Sequence, residues 1–134
     1  MEVAKMKNIT FDKHQSDEMI EYLKYLFSIL CRYAFRKRNL YPVITPFEEK
    51  SYRDLLSPYY NIFFENAKKK IECWEIGLAF YLNFGFGVEK NTKEAFAIFQ
   101  RLANENSSSC QFHVGWCYEN GEGVEKDLKQ AVYW

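Results

Sequence analysis

Three groupings in this chain combine residue types that could carry chemistry. Cys110, His113 and Cys117 fall at i, i+3 and i+7 of a segment with helical periodicity, which sets an imidazole and two thiols on one face. Such a trio could ligate zinc, but a structural site needs a fourth ligand, and the sequence offers no CxxC or HxxxH partner. A cysteine nucleophile with a histidine base is the second option. It would require His14 or His113 beside a thiol in an activating, electropositive environment, and nothing in the sequence supplies one. The third grouping is a pair of glycine turns, Gly85-Phe86-Gly87 and Gly121-Glu122-Gly123. A dinucleotide loop needs a preceding strand and a third glycine, and a P-loop needs Gly-Lys-Ser/Thr, whereas both of these turns follow helical segments. The expectation is a non-enzymatic chain with no catalytic residue, no metal and no cofactor.

The glycine turns belong to a repeat. Gly85, Gly87, Val88, Glu89, Lys90, Lys93 and Ala95 recur 36 residues later as Gly121, Gly123, Val124, Glu125, Lys126, Lys129 and Ala131. A period of this length marks stacked supersecondary units. In the second copy, Cys110, Val114 and Tyr118 make one apolar stripe at helical spacing, and Gly115 costs helix stability of about 1 kcal/mol relative to Ala. That cost suggests a neighbouring helix backbone close by. Gly121 and Gly123 can supply the positive-φ backbone that ends a helix and reverses the chain, and Asp127, like Asn91 before it, is placed to cap the helix that follows. Ala95, Phe96, Ile98, Phe99, Leu102 and Ala103 form the apolar face of the first copy's second helix.

At these residues the chain resembles the Sel1-like repeat family, a branch of the TPR-like αα-repeats. Cys110, Val114, Gly115, Tyr118, Gly121, Gly123, Val124, Asp127, Ala131 and Trp134 occupy the places of its pattern. Cys stands there for the usual Ala, Val for Leu, and Gln130 for Lys. The first copy is looser, with Trp74, Leu78, Ala79, Leu82, Gly85, Gly87, Val88, Asn91, Ala95, Ile98 and Phe99 in place but without the helix Gly and the Tyr. The resemblance covers residues 71–134 and implies adaptor or scaffold proteins that assemble other proteins.

The rest of the chain sets limits. The 134 residues suffice for one ordinary domain, and 18 basic against 18 acidic residues give no bulk attraction to nucleic acid. Aromatics reach 19%, which points to a packed core, and the four cysteines read as reduced core residues of a cytoplasmic protein. Residues 17–38 predict one long helix after a Ser16 cap. Its polar stripe of Glu21, Lys24, Ser28 and Arg32 argues against a bilayer span, and Arg36, Lys37 and Arg38 read as a basic helix end. Prolines 42, 46 and 58 punctuate the next stretch around a short helix at 47–56. Ile62, Phe63 and Ala67, moved by 36, fall on Ile98, Phe99 and Ala103.

The predicted architecture is all-α: a short αα-solenoid of Sel1-like helix–turn–helix repeats preceded by a long N-terminal helix. Residues 1–15 form a flexible arm, 16–58 an N-terminal helical region with its proline-containing connector, and 59–134 the repeat region. That region comprises a degenerate remnant at 59–70, one full repeat and one repeat cut short at Trp134. Helix pairs are expected at 71–83 with 93–104 and at 109–119 with 127–134. The function read from this is a non-catalytic scaffold or adaptor with a protein or peptide partner and no nucleic acid. The alternative is a membrane-associated regulatory subunit laying helix 17–38 on a bilayer, which the polar stripe disfavours. The apolar Ala131-Val132-Tyr133-Trp134 end suggests self-association through the shortened repeat.

Helical spacing sets Phe112 and Trp116 opposite the core stripe, with Phe80 one repeat before Trp116. Packing against an adjacent repeat is the simpler account and suits Phe112 best. Trp116 is less expected there, so Phe80 and Trp116 are predicted to line a shallow groove for a partner's helix or extended peptide. Phe112 is grouped with them, and Glu119 and Asn120 stand at the rim.

Overall fold

The computed structural model describes residues 16–39 and 43–134, so the arm at 1–15 and Pro42 lie outside the described residues. The regular structure of the described residues is helical, without a strand. α1 runs Ser16–Asn39, α2 Pro46–Leu56, α3 Tyr60–Ala67, α4 Glu72–Phe84, α5 Thr92–Asn104, α6 Ser108–Asn120 and α7 Leu128–Tyr133. A single 3-10 turn, Ser57–Tyr59, joins α2 to α3. From α3 onward each helix packs chiefly on its neighbours in the chain, and α1 lies against α4. Nearest-neighbour packing of this kind is the mark of a solenoid.

Local signals explain where each helix starts and stops. α2 begins with proline at its first turn behind a capping box, in which the Thr45 hydroxyl accepts from the Glu48 amide and the Glu48 carboxylate reaches back to Thr45. The Asn91 side chain caps α5 by accepting from the Glu94 amide, and Asp127 caps α7 by accepting from Lys129 and Gln130. α4 and α6 both end in left-handed glycines, Gly85 at φ 70° and Gly121 at φ 68°.

The two turns are built alike. In the first, the Phe86 amide donates to the Tyr81 carbonyl at 3.2 Å and Asn91 to Leu82 at 2.8 Å. In the second, Glu122 donates to Cys117 at 3.0 Å and Asp127 to Tyr118 at 2.9 Å, the same bonds moved on by one repeat. Each turn also seats a second glycine on the start of an earlier helix, α3 for Gly87 and α5 for Gly123. A Cβ on Gly87 would stand 2.2 Å from the Ser57 carbonyl oxygen and 3.2 Å from Tyr60 Cβ. One on Gly123 would stand 2.2 Å from the Thr92 carbonyl oxygen and 3.0 Å from Phe96 Cβ.

The core is continuous from α1 to α6. Leu23, Leu26, Leu30 and Tyr33 of α1 are buried in one cluster with Phe63 of α3, Phe80 and Tyr81 of α4, and Phe99 of α5. Two buried hydroxyls in it have partners: the Tyr81 hydroxyl donates to the Leu56 carbonyl at 2.7 Å, and Tyr33 donates to Glu49 at 2.6 Å. Glu75 is buried on α4 and pairs with Arg101 of α5 at 3.0 Å, tying the first helix pair together. Losing Arg101 would leave the buried Glu75 carboxylate with Lys70 alone, 4.0 Å away. Much of the apolar face of α1 is packed into this core, and no helix among the described residues is long and apolar enough to cross a membrane.

The two glycines of the second turn should differ in a telling way. Gly121 and Gly123 have φ of 68° and 73°, so Ala at either incurs a left-handed cost of roughly 1 kcal/mol. A Cβ at position 121 is 3.3 Å from Lys126 Cβ, whereas at 123 it collides with the Thr92 carbonyl. Urea unfolding should show Gly123→Ala costing about 1–3 kcal/mol more than Gly121→Ala, the range typical of overpacking. Equal costs would contradict the inter-repeat seat.

Candidate functional site

The site forms on the second helix pair. α6 is fixed by the Ser107 cap, whose hydroxyl accepts from the Cys110 amide, and by its buried Cys110, Val114 and Cys117. Tyr118 is half-buried, with its ring edge-on to Phe96 at 5.4 Å. Gly115 lets α7 come close: a Cβ there would meet the Ala131 carbonyl oxygen at 3.3 Å and Trp134 Cβ at 3.5 Å. Between the two helices lies a groove of about 440 Å³ lined by Phe112, Gly115, Trp116, Glu119 and Asn120 of α6 and by Ala131 and Trp134.

One further residue lines the groove, and it comes from far along the chain. Arg38, at the end of α1, places its guanidinium carbon 4.5 Å from the centre of the Trp116 ring. The same carbon is 5.6 Å from the Phe80 ring and 5.8 Å from that of Phe99. A cation held against aromatic faces gains electrostatically from each ring, most where it is desolvated. Burial also holds the Arg38 guanidinium below its ordinary pKa, against the opposing pull of Cys117 and Glu122.

These positions correct the sequence reading in two places. Phe80 is only 1% exposed. It does not share a surface with Trp116, because Arg38 and His113 both pack on it. Helical spacing within the repeats carries no information about α1, which covers that face. Phe112 is 63% exposed, touching His113 with ring centres 5.8 Å apart, so among the described residues no adjacent repeat covers it. Arg38 went unnoticed because three consecutive basic residues look like an ordinary helix terminus, and no local pattern separates it from Arg36 and Lys37.

The trio at 110, 113 and 117 is packed rather than gathered. His113 contacts Arg38 Nη1 through Nδ1 and lies between the rings of Phe80 and Phe99, each 5.0 Å away. Burial pushes the Cys117 thiol up to about 11 and raises that of Cys110 as well, so neither is a ready thiolate. Among the described residues no group of three His, Cys, Asp or Glu side chains could hold a metal ion.

The Sel1 repeat model matches residues 73–107 and again 108–134. Residues 73–134 are Sel1 repeats. The boundary between the two Sel1 repeats falls at Ser107, the residue that caps α6. Sel1 repeats generally mediate protein–protein interaction and are typically non-catalytic. The chain is also similar to DAP3-binding cell death enhancer 1 of Rattus norvegicus, 34% identical over 65 residues, covering 46% of this chain and 13% of that protein. The Mus musculus protein of the same name is 32% identical over 65 residues, covering 46% of this chain and 12% of that protein. The match thus spans a small part of either relative. No solved structure matches the chain.

The packing of His113 in the first Sel1 repeat's aromatic face has a measurable consequence. Burial, then the Arg38 charge, depresses its pKa from 6.5 to about 3. An unfolded histidine takes a proton near 6.5, so as pH falls the unfolded state binds protons first. The ring's contribution to stability is complete above about pH 6.5 and is lost as pH falls toward about 3. NMR titration should find the His113 ring still neutral at roughly pH 4. Titration near 6.5 would mean that the ring is solvated and Arg38 is not seated on it.

Proposed function

We propose that the chain is a non-catalytic scaffold whose second repeat holds a protein partner's helix or extended peptide in the groove between α6 and α7. The observation that carries this reading is the groove itself. Trp116, half-buried, and Phe112, largely exposed, line an open cavity beside Trp134, with the exposed polar groups of Glu119 and Asn120 next to them. Rigid aromatics around a cavity, edged by polar groups, are the usual anchors of a protein interface. The printed name of the rat and mouse relatives records binding to a protein, which is consistent with a protein partner here without naming it.

The repeat region in this reading begins at residue 59. α3 takes the part of a preceding repeat's second helix, because Gly87 seats on Tyr60 as Gly123 seats on Phe96. Four free cysteines, two of them buried, suit a reducing compartment, and we place the scaffold in the cytoplasm. Leu128, Val132 and Tyr133 stand exposed on α7 and offer a route to self-association.

A photo-crosslinking residue at Glu119, compared with one at the exposed Lys68 on α3's far end, tests the groove. The Glu119 probe should capture a protein that the Lys68 probe does not. That partner should then bind Trp116→Ala more weakly by about 2 kcal/mol, the scale of an interface anchor. The variant should melt close to the wild type, since loss of the ring over Arg38 is offset by water reaching the guanidinium. Crosslinks between copies of the chain would assign the face to self-association. Equal capture at both probes, or unchanged binding by Trp116→Ala, would overturn the proposal.

A further inference from the structure

The Arg38 side chain is incompletely partnered. A guanidinium is a flat fork of five N–H donors that stays charged in proteins. Nη1 is engaged by His113. Nε and Nη2 are shut off from solvent and have no hydrogen-bond acceptor among the described residues. Arg36 and Arg101, likewise half-buried, each pair with a carboxylate, Glu48 at 2.6 Å and Glu75 at 3.0 Å. Near Arg38, Glu122 contributes only a through-space attraction.

The two unmet donors are not a random pair. Nε–H and the neighbouring Nη2–H project from one edge of the guanidinium, and their spacing matches the two oxygens of a carboxylate. A buried donor without an acceptor is costly, more so when charged, and a native chain that retains one calls for an explanation. The Trp116 ring packs against the guanidinium, 4.5 Å from ring centre to the central carbon, and both side chains line the groove. Arg38 lines the groove of the second repeat, so an anion lying there meets that edge once a side chain yields.

We propose that the groove takes a peptide whose glutamate side chain fills the side-on fork of Arg38, with its apolar neighbours against Trp116 and Trp134. This rests on the peptide-groove reading above and adds the chemistry of the ligand. Charge complementarity selects the class: the unpaired cation calls for an anion, and the planar fork for a carboxylate. A phosphate, with up to two charges, is disfavoured by Glu119 in the same lining. An internal side chain lets the peptide continue across both ends of the open groove, and glutamate reaches deeper than aspartate. The fork is dry in the free protein, so the pair forms where electrostatic attraction is weakly screened.

Three short peptides test this, with the indole N–H signals of Trp116 and Trp134 in ¹H–¹⁵N spectra as the readout. The first is acetylated and amidated with glutamate between leucines. The second has glutamine in that place, and the third is the glutamine peptide with a free C-terminal carboxylate. The glutamate peptide should bind the full chain at least about tenfold tighter than the glutamine peptide, as a charge-assisted bidentate contact requires. Arg38→Lys keeps the charge but lacks the fork, and should lose most of that preference. Arg38→Met should lose all of it while melting no lower than the wild type, because an apolar side chain replaces a buried unpaired charge. Equal binding of the glutamate and glutamine peptides, or a preference that survives Arg38→Met, would overturn the inference and leave the groove reading standing. Failure of all three peptides to bind would overturn both. Binding of the third peptide as tightly as the first would assign the fork to a chain terminus and overturn the side-chain assignment.

Discussion

The structure hangs on a contact that tolerates no side chain. At Gly87 and again at Gly123 the turn between paired helices rests directly on a backbone carbonyl near the start of an earlier helix, Ser57 in one case and Thr92 in the other. A methyl group there would sit 2.2 Å from that oxygen. Glycine is the residue that satisfies both demands, a positive φ and no Cβ. Because the seat recurs, each unit is delivered to its neighbour in the same position. The repeated bonds from Asn91 to Leu82 and from Asp127 to Tyr118 follow from that register. So does the placing of α6, and with it Trp116.

α1 gives the stack a second constraint. It is not part of the repeat, yet its Leu23, Leu26, Leu30 and Tyr33 complete the core against the first units. In its last turn Arg38 covers Phe80 and reaches Trp116, so one aromatic is closed away and the other stays at the surface. The groove of the second repeat is thus a joint product of the 36-residue register and of a helix from the other end of the chain. A cation packed against three rings is desolvated there without a full set of acceptors, and what its unmet donors lack defines what the groove can accept.

The fold was legible because its causes are local. Glycine spacing, caps at Asn91 and Asp127, and helical stripes such as Cys110 and Val114 are read within a few residues of one another, and they specify helix–turn–helix units without reference to anything distant. The long helix at 17–38 was legible as a helix for the same reason. Where it would lie was not. The contact between Arg38 and His113 joins residues 75 apart in sequence, and no periodicity reports it. That one contact decides that Phe80 is core, that His113 is packed rather than ligating, and that Trp116 has a buried charge behind it. Spacing alone grouped Phe80 with Trp116, and only the tertiary position of α1 separates them.

The account stands or falls on Arg38 being seated against Trp116 and closed to water. The side-chain Nε–H of Arg38, observed directly by ¹H–¹⁵N NMR, is the most direct test. The structure predicts a signal displaced by the aromatic ring currents of Trp116, Phe80 and Phe99, with slowed exchange against solvent, and a return toward ordinary values in Trp116→Ala. An Nε–H at the position and exchange rate of a freely solvated arginine would contradict the account.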